Sequence, residues 1–278
     1  MYRRTRKHSD FKKMQRVEAE RRRRKEARIR GAISVFAVVL FLSFITVFHV
    51  GLESPGNKSA GELAAQEIEY LEVEDRILKS ISIIDAPLIM QLPELPRGCE
   101  VTSLAMLLNH AGIPADKMTL ARQVRKDETV YRVEGGKIHF GNPYDGFVGN
   151  MYDRSYPGLA VYHEPICELA EEYLPGRIVD LTGLDFEEIL YPISDGRPVW
   201  VIVNSEYDEL DEKYFKVWKT PSGSVKITYK THSVLLTGYD DDYIYFNDPL
   251  ANHKNRKVDR LAFERCWVQM GRQAVTYN

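Results

Sequence analysis

Apolar residues recur at three different periods along this chain, and each period predicts a different kind of element. From residue 31 to 52 they run almost unbroken: 22 residues carry no Lys, Arg, Asp or Glu. As a helix this stretch is roughly 33 Å long, enough to cross a bilayer. From Cys99 onward, Val101, Leu104, Ala105 and Leu108 fall on one helical face, and Gly112 followed by Pro114 supplies a stop. The same spacing predicts helices over 116–125 and 163–174, the second with Ile166, Leu169, Ala170 and Tyr173 on one side. A short helix is expected from Asp185, where Asp-Phe-Glu-Glu resembles a capping box. Beyond it the period changes. The β-branched run 198–203 predicts a buried strand, and 214–219, 225–230, 232–239 and 243–247 predict an antiparallel set. Helices first and strands afterwards predict an α+β domain.

Between these elements the pattern gives way to turn chemistry. Residues 52–61 are rich in Gly, Pro, Ser and Asn and read as a linker. Residues 62–82, rich in Glu, Ala, Leu and Ile, read as a stalk or packing helix. Residues 126–161 interleave six glycines with aromatics such as Tyr131, Phe140, Tyr144 and Tyr156. The aromatics argue against disorder and predict an ordered flap or cleft wall. Four regions result: a basic arm at 1–30, an apolar span at 31–52, a linker with stalk helix at 53–84, and one domain of ordinary size at 85–278.

Charge changes the picture more than composition does. The formal net charge of −2 conceals two opposite bodies. Residues 1–30 hold 14 Lys/Arg against 4 Asp/Glu, whereas the other 248 residues hold 24 against 36. The basic region is far longer than that of a cleaved signal peptide, and no clear small-x-small cleavage site follows His49. Residues 31–52 are therefore expected to be an uncleaved signal anchor, and basic residues beside an apolar span stay on the cytoplasmic side. The N-terminus is then cytoplasmic, the acidic remainder lies outside the cytoplasm, and the lipid bilayer is the partner of residues 31–52. Basic runs also bind phosphate backbones, but the neighbouring span accounts for this one, so no nucleic-acid partner is expected.

The chemistry centres on Cys99. It stands in the first helical turn after an extended, proline-bearing segment, where unpaired N–H groups and the positive end of the macrodipole favour an anion. A thiol there is expected to ionise more readily than a free one. A thiolate nucleophile needs a base and something to orient it. If the turn at Asp240–Asp242 pairs Tyr239 with Tyr243, then Val234 faces Asp248, Leu236 faces Phe246 and Gly238 faces Ile244. His232 and Asp248 become diagonal neighbours on one face, within reach of each other. Hydrogen-bonded to Asp248, His232 would keep one tautomer and turn its other nitrogen toward Cys99. The Cys99 backbone N–H and the side-chain amide of Gln91 are candidate oxyanion donors. Cys167 and Cys266 read equally well as buried thiols or as a disulfide. The Asp-rich turn lacks calcium-loop spacing, no zinc or phosphate-loop motif is present, and no metal or cofactor is expected.

Four ordered blocks carry a resemblance: Gln91 with Gly98-Cys99-Glu100 and Leu104-Ala-Met-Leu-Leu108; Gly141-Asn-Pro-Tyr with Gly146-Phe-Val-Gly149; Gly196-Arg-Pro-Val199; and His232-Ser-Val-Leu-Leu-Thr-Gly-Tyr239 with Asn247-Asp248-Pro249. From about Asp85 to Tyr277 the chain resembles papain-fold cysteine peptidases related to the bacteriocin-processing, double-glycine leader peptidases, in their stand-alone bacterial branch. The resemblance implies a papain-like fold with N-terminal helices packed on an antiparallel sheet. It also implies Cys99 as nucleophile, His232 as base and acid, Asp248 as orienter and Gln91 in the oxyanion hole. Two departures stand out: Glu100 replaces the glycine common in transporter-fused relatives, and no transporter is attached. Leader peptides are cut on the cytosolic side, so the expected activity here is cleavage of a peptide or protein at the cell surface. Amide cleavage or acyl transfer on cell-wall peptides, and a binding module with an idle site, are the competing expectations.

Overall fold

The computed structural model describes residues 78–278. The basic arm, the apolar span and most of the linker and stalk lie outside the described residues. Among the described residues no helix is long and apolar enough to cross a membrane.

The element that positions everything else is helix α1, Cys99–His110, buried without interruption from Cys99 to Leu108. Its sequence supplies apolar or small residues on all sides, including Thr102, Ser103 and Met106. The chain accordingly packs it from several directions. Helices α2 (Lys117–Gln123, capped by the Asp116 side chain) and α3 (His163–Tyr173) meet it, and so do strands β7 (Val199–Asn204) and β10 (Thr231–Tyr239). Two side chains fix its rotation: Ser103 Oγ donates to Ser233 O at 3.2 Å, and Trp200 Nε1 donates to Glu100 O at 3.0 Å.

The main sheet runs β12-β11-β10-β7-β13-β6, antiparallel throughout, where β6 is Ile178–Asp180, β11 Tyr243–Asn247, β12 Arg256–Asp259 and β13 Ala274–Tyr277. All six residues of β7 are buried. Since alternate side chains point to opposite faces, both faces are covered, and α5 (Arg260–Gln269) packs on β7 as α1 does. Strand β1, Ser82–Ile83, pairs with Tyr239 and Gly238, beyond the point where the β7 pairing ends at Leu236. The expected helix over 62–82 therefore does not reach its predicted end: residues 78–81 are irregular, with a bend at Ser80, and lead into this strand, ahead of Asp85.

The β10–β11 hairpin keeps the expected register at one end and loses it at the other. Leu236 faces Phe246 and Leu235 faces Asn247, as the expected pairing requires, but Gly238 faces Tyr245 and Tyr239 faces Ile244. An extra residue, Thr237, is accommodated as a bulge, a one-residue slip confined to the turn side. The His232 end is untouched by it.

Two other expectations change. Segments 214–219 and 225–230 do not extend the main sheet. As β8 (Phe215–Thr220) and β9 (Gly223–Thr228) they form a hairpin in a separate sheet, β3-β4-β8-β9. Its partners β3 (Arg132–Glu134) and β4 (Lys137–His139) come from the glycine-rich segment, which is therefore structured. Gly135 and Gly136 join them with φ of 56° and 73°, the left-handed pair a tight hairpin turn needs. Trp218, buried, ties the two sources together by donating to Gly141 O at 3.1 Å. Within the same segment β2 (Lys126–Asp127) pairs in parallel with β5 (Phe147–Val148). The helix expected at Asp185 is a series of turns instead. Helical geometry begins only at α4, Tyr191–Ser194, where Pro192 suits a first turn.

Close approach rather than backbone freedom explains Gly238. A Cβ there would stand 2.6 Å from Ser82 O and 3.1 Å from the Ile83 Cα, so a side chain must push β1 off β10. Gly238→Ala is expected to destabilise the protein by about 1–3 kcal/mol, as overpacking does. A urea-unfolding midpoint equal to that of the unaltered protein would show that β1 yields freely.

Candidate active site

Gln91, Cys99 and His232 line one cavity of about 700 Å³, although each is itself buried. They arrive from three directions: the extended segment before α1, the first residue of α1, and the start of β10. Gly98 makes the entry into the helix possible, because a Cβ at that position would meet Leu95 Cβ at 2.5 Å.

His232 pairs with Val203 across β7 and points its Nε2 at Asp248 Oδ1, 2.8 Å away. Asp248 is 1% exposed, and donors surround it. Oδ1 also accepts from Leu250 N at 2.9 Å, while Oδ2 accepts from Tyr207 Oη at 2.7 Å and Arg256 Nη1 at 2.8 Å. Burial alone would raise this carboxyl's pKa. The bond and charge of His232, with the Tyr207 and Leu250 bonds, outweigh it and hold Asp248 far below the usual carboxylate range. An ionised acceptor at Nε2 assigns the proton to that nitrogen, leaving Nδ1 as the basic one.

Tyr207 and Arg256 are members of the site that the sequence gives no signal for. Tyr207 adopts φ 55°, a left-handed conformation unusual for an aromatic residue, in a turn where Glu206 N donates to Asn204 Oδ1 and Asn204 Nδ2 donates to Asp208 O. The Arg256 guanidinium stacks 4.7 Å from its ring centroid. The proximity of these two becomes visible only once β12 pairs with β11, placing Arg256 opposite Phe246.

The thiol reverses one expectation. Cys99 Sγ donates to Glu100 Oε2 at 3.3 Å, and Glu100 Oε1 accepts from Val161 N at 3.3 Å. Burial and then the neighbouring Glu100 push the thiol well above its ordinary value, and hydrogen bonds from the Ser233 and Cys99 backbone offset them only partly. Thiolate stabilisation at the helix start is therefore outweighed in the resting site, where the sulfur is protonated. Glu100 is itself raised by burial to about 7. The backbone contact with Ser233 sets the sulfur beside the residue that follows His232 in β10.

Gln91 Nε2 donates to Leu95 O at 2.9 Å and Pro96 O at 3.3 Å, which occupies both amide hydrogens; its buried Oε1 has no partner. Donation from Gln91 to an oxyanion thus requires the longer Pro96 bond to open. The Cys99 N–H, first in its helix, has no intrahelical partner to surrender.

Residues 83–275 match the model of the Peptidase_C39 like family. The chain belongs to that family. Two relatives agree with the assignment. Over 186 residues the chain is 49% identical to the uncharacterized protein YvpB of Bacillus subtilis strain 168, covering 67% of this chain and 71% of that one. It is also similar to the crystal structure of a proposed C39-like peptidase from Bacillus anthracis, with 48% identity and a TM-score of 0.67 over 72% of this chain and 98% of that one. The mixed α+β fold and a cysteine peptidase-like chemistry are thus those of the Peptidase_C39 like family.

The remaining cysteines lie elsewhere in the fold. All three are free thiols, so Cys167 and Cys266 are not bridged. Cys266 Sγ accepts from Asn204 N at 3.2 Å and is raised by burial to about 12. Cys167 belongs to a cluster with His163 and Asp180 whose donor atoms lie within 4.8 Å of one another. His163 Nδ1 already sits 2.7 Å from Asp180 Oδ2, and its Nε2 lies 3.2 Å from Glu164 Oε2. Burial and the charges of Asp180 and Glu164 push the Cys167 thiol up, so as it stands the cluster is a histidine held by carboxylates beside a neutral thiol.

Glu100 dictates a pH dependence with a defined sign. Between its ordinary value of 4.5 and about 7 the folded chain holds a proton that the unfolded chain has released. Stability therefore falls as pH rises through that window, by about 3 kcal/mol in all, and levels off above it. Glu100→Gln is expected to remove that slope and to gain stability at pH 8. Urea midpoints at pH 5, 6, 7 and 8 check this; an unchanged slope in the variant would refute it.

Proposed function

We propose that this protein is a membrane-anchored, extracytoplasmic cysteine peptidase-like hydrolase of papain-like fold, cleaving peptide bonds through Cys99, His232 and Asp248. The observation that carries the reading is the 2.8 Å His232–Asp248 contact in the wall of the cavity that Cys99 also lines. A buried, ionised carboxylate fixing one imidazole nitrogen is what a general base needs to keep the other available.

The chemistry follows from that arrangement. His232 Nδ1 takes the Cys99 proton as the sulfur bonds to the scissile carbonyl carbon, whose π electrons move to oxygen. The Cys99 N–H meets that oxyanion, joined by Gln91 once its Pro96 bond opens. Collapse breaks the C–N bond, and the imidazolium returns its proton to the departing amine, leaving an acyl thioester. Water, deprotonated by His232, attacks the thioester and releases acid and thiol. Because the resting sulfur is neutral, proton transfer accompanies attack instead of preceding it.

Address is a separate part of the proposal. It rests on the uncharged stretch 31–52 behind a basic arm. The domain would then meet peptides or proteins at the outer face of the membrane.

An electrophilic thiol probe applied to the full chain is expected to label Cys99. Cys99→Ala should abolish both labelling and hydrolysis of a peptide substrate, and His232→Ala should slow hydrolysis by about 100-fold or more. Hydrolysis undiminished in Cys99→Ala would sink the reading.

A further inference from the structure

The chain outside residues 1–30 carries an excess of acidic groups, 36 against 24. The cavity that holds Cys99 has the opposite composition: Arg97, Arg154 and Lys230 line it, and no Asp or Glu does. Lys230 is neutralised by Glu206, whose Oε1 accepts from Nζ at 2.5 Å. The two arginines are not neutralised in this way. Their guanidiniums are held by backbone carbonyls, which orient a charge without cancelling it. Arg97 Nη1 donates to Asn150 O at 3.1 Å and Asp153 O at 2.8 Å, its Nη2 to Arg154 O at 3.3 Å, and Arg154 Nη2 donates to Pro96 O at 2.9 Å.

Among the described residues neither arginine forms a salt bridge. The Asp153 carboxylate is the acidic group that acts on Arg97, but its Oδ1 turns to Ser155 N at 2.8 Å. Burial and then the charge of Arg154 lower the pKa of Arg97, so the two cations repel each other within the cleft. Holding two guanidiniums together costs free energy that an anion between them would return, and a planar fork suits a carboxylate in particular.

Position decides what that anion belongs to. Arg97 precedes Cys99 by two residues, and both arginines line the cavity that Cys99 lines, so a peptide bound there meets them within a few residues of the thiol. The exposed rings of Tyr156 and Tyr229 line the same cavity and offer flat surfaces for an extended chain.

We infer that the Arg97–Arg154 pair is a substrate subsite that selects peptides bearing a carboxylate within a few residues of the scissile bond. The inference rests on the hydrolase reading above for the identity of the cleft. It does not depend on turnover, because a subsite can be read by binding alone. The carboxylate has two possible sources, a Glu or Asp side chain or a peptide C-terminus, and the experiment separates them.

The test uses the full chain carrying Cys99→Ala, so that no peptide is consumed, and fluorescent hexapeptides in which one Glu is moved through an Ala/Ser background. Each is paired with its Gln counterpart, and a second set compares free C-terminal acid with C-terminal amide. At low salt at least one Glu or free-acid peptide is expected to bind about tenfold more tightly than its neutral partner, with the preference shrinking as NaCl rises. Arg154→Gln should erase most of that preference while leaving binding of the neutral peptide unchanged, and Arg154→Lys should restore part of it. Arg154 is the variant of choice because its head makes a single backbone bond, whereas Arg97 also braces residues 150–154. Acidic and neutral partners binding alike at every position and at the C-terminus would overturn the inference, as would a preference untouched by Arg154→Gln and Arg97→Gln together. Failure of the hydrolase reading shows separately, as unlabelled Cys99 in the unaltered chain.

Discussion

A carboxylate taken out of water must be matched by donors, and meeting that requirement at Asp248 draws four separate segments of the domain together. Its four partners come from the start of β10, the turn after β7, the turn after β11, and β12. Each partner requires a particular piece of backbone: the β10–β11 register for His232, the left-handed turn for Tyr207, and the β11–β12 pairing for Arg256. Removing one donor would leave a buried charge underserved, which typically costs far more than a surface ion pair contributes. The sheet edge and the turn are therefore held in place by the same group that orients the imidazole.

At Cys99 the requirement runs the opposite way. Cys99 and Glu100 are both buried, adjacent in sequence and both able to carry negative charge, and the thiol donates to the carboxyl. Two anions so close in a desolvated site are disfavoured. Burial and the neighbouring carboxyl accordingly favour the neutral form of the Cys99 thiol. Val161 N, at the end of the glycine-rich segment, donates to the Glu100 carboxyl and works against the burial that raises its pKa.

Much of this was legible in the residues alone because local periodicity and long-range packing agree. Helix α1, helix α3 and strand β7 lie within a residue or two of where spacing places them. The His232–Asp248 pairing followed from a two-residue period, and it holds because the bulge at Thr237 falls on the far side of Leu236. What a linear reading cannot supply is partnership between distant segments. Nothing in Phe215–Thr220 says that it joins strands from the 126–161 segment instead of the main sheet. Tyr207 and Arg256 are ordinary residues until the fold brings them to one carboxylate. Helix-start arguments correctly located Cys99 but took no account of desolvation, which depends on everything packed around it. Net charge is silent on the cleft: the acidic balance of residues 31–278 gives no hint that two arginines line the cavity of Cys99.

The pairing of β1 with Gly238 and Tyr239 fixes where the preceding chain is fastened. His232 opens β10 and Gly238 lies six residues along it, a separation of roughly 20 Å at about 3.3 Å per residue. Ser82 and Ile83 are thus fastened at the end of the strand remote from the cleft. The β1–β10 seam and the cavity at His232 therefore occupy opposite ends of one strand, so that a change at Gly238 disturbs the seam without reaching the residues that line the cavity.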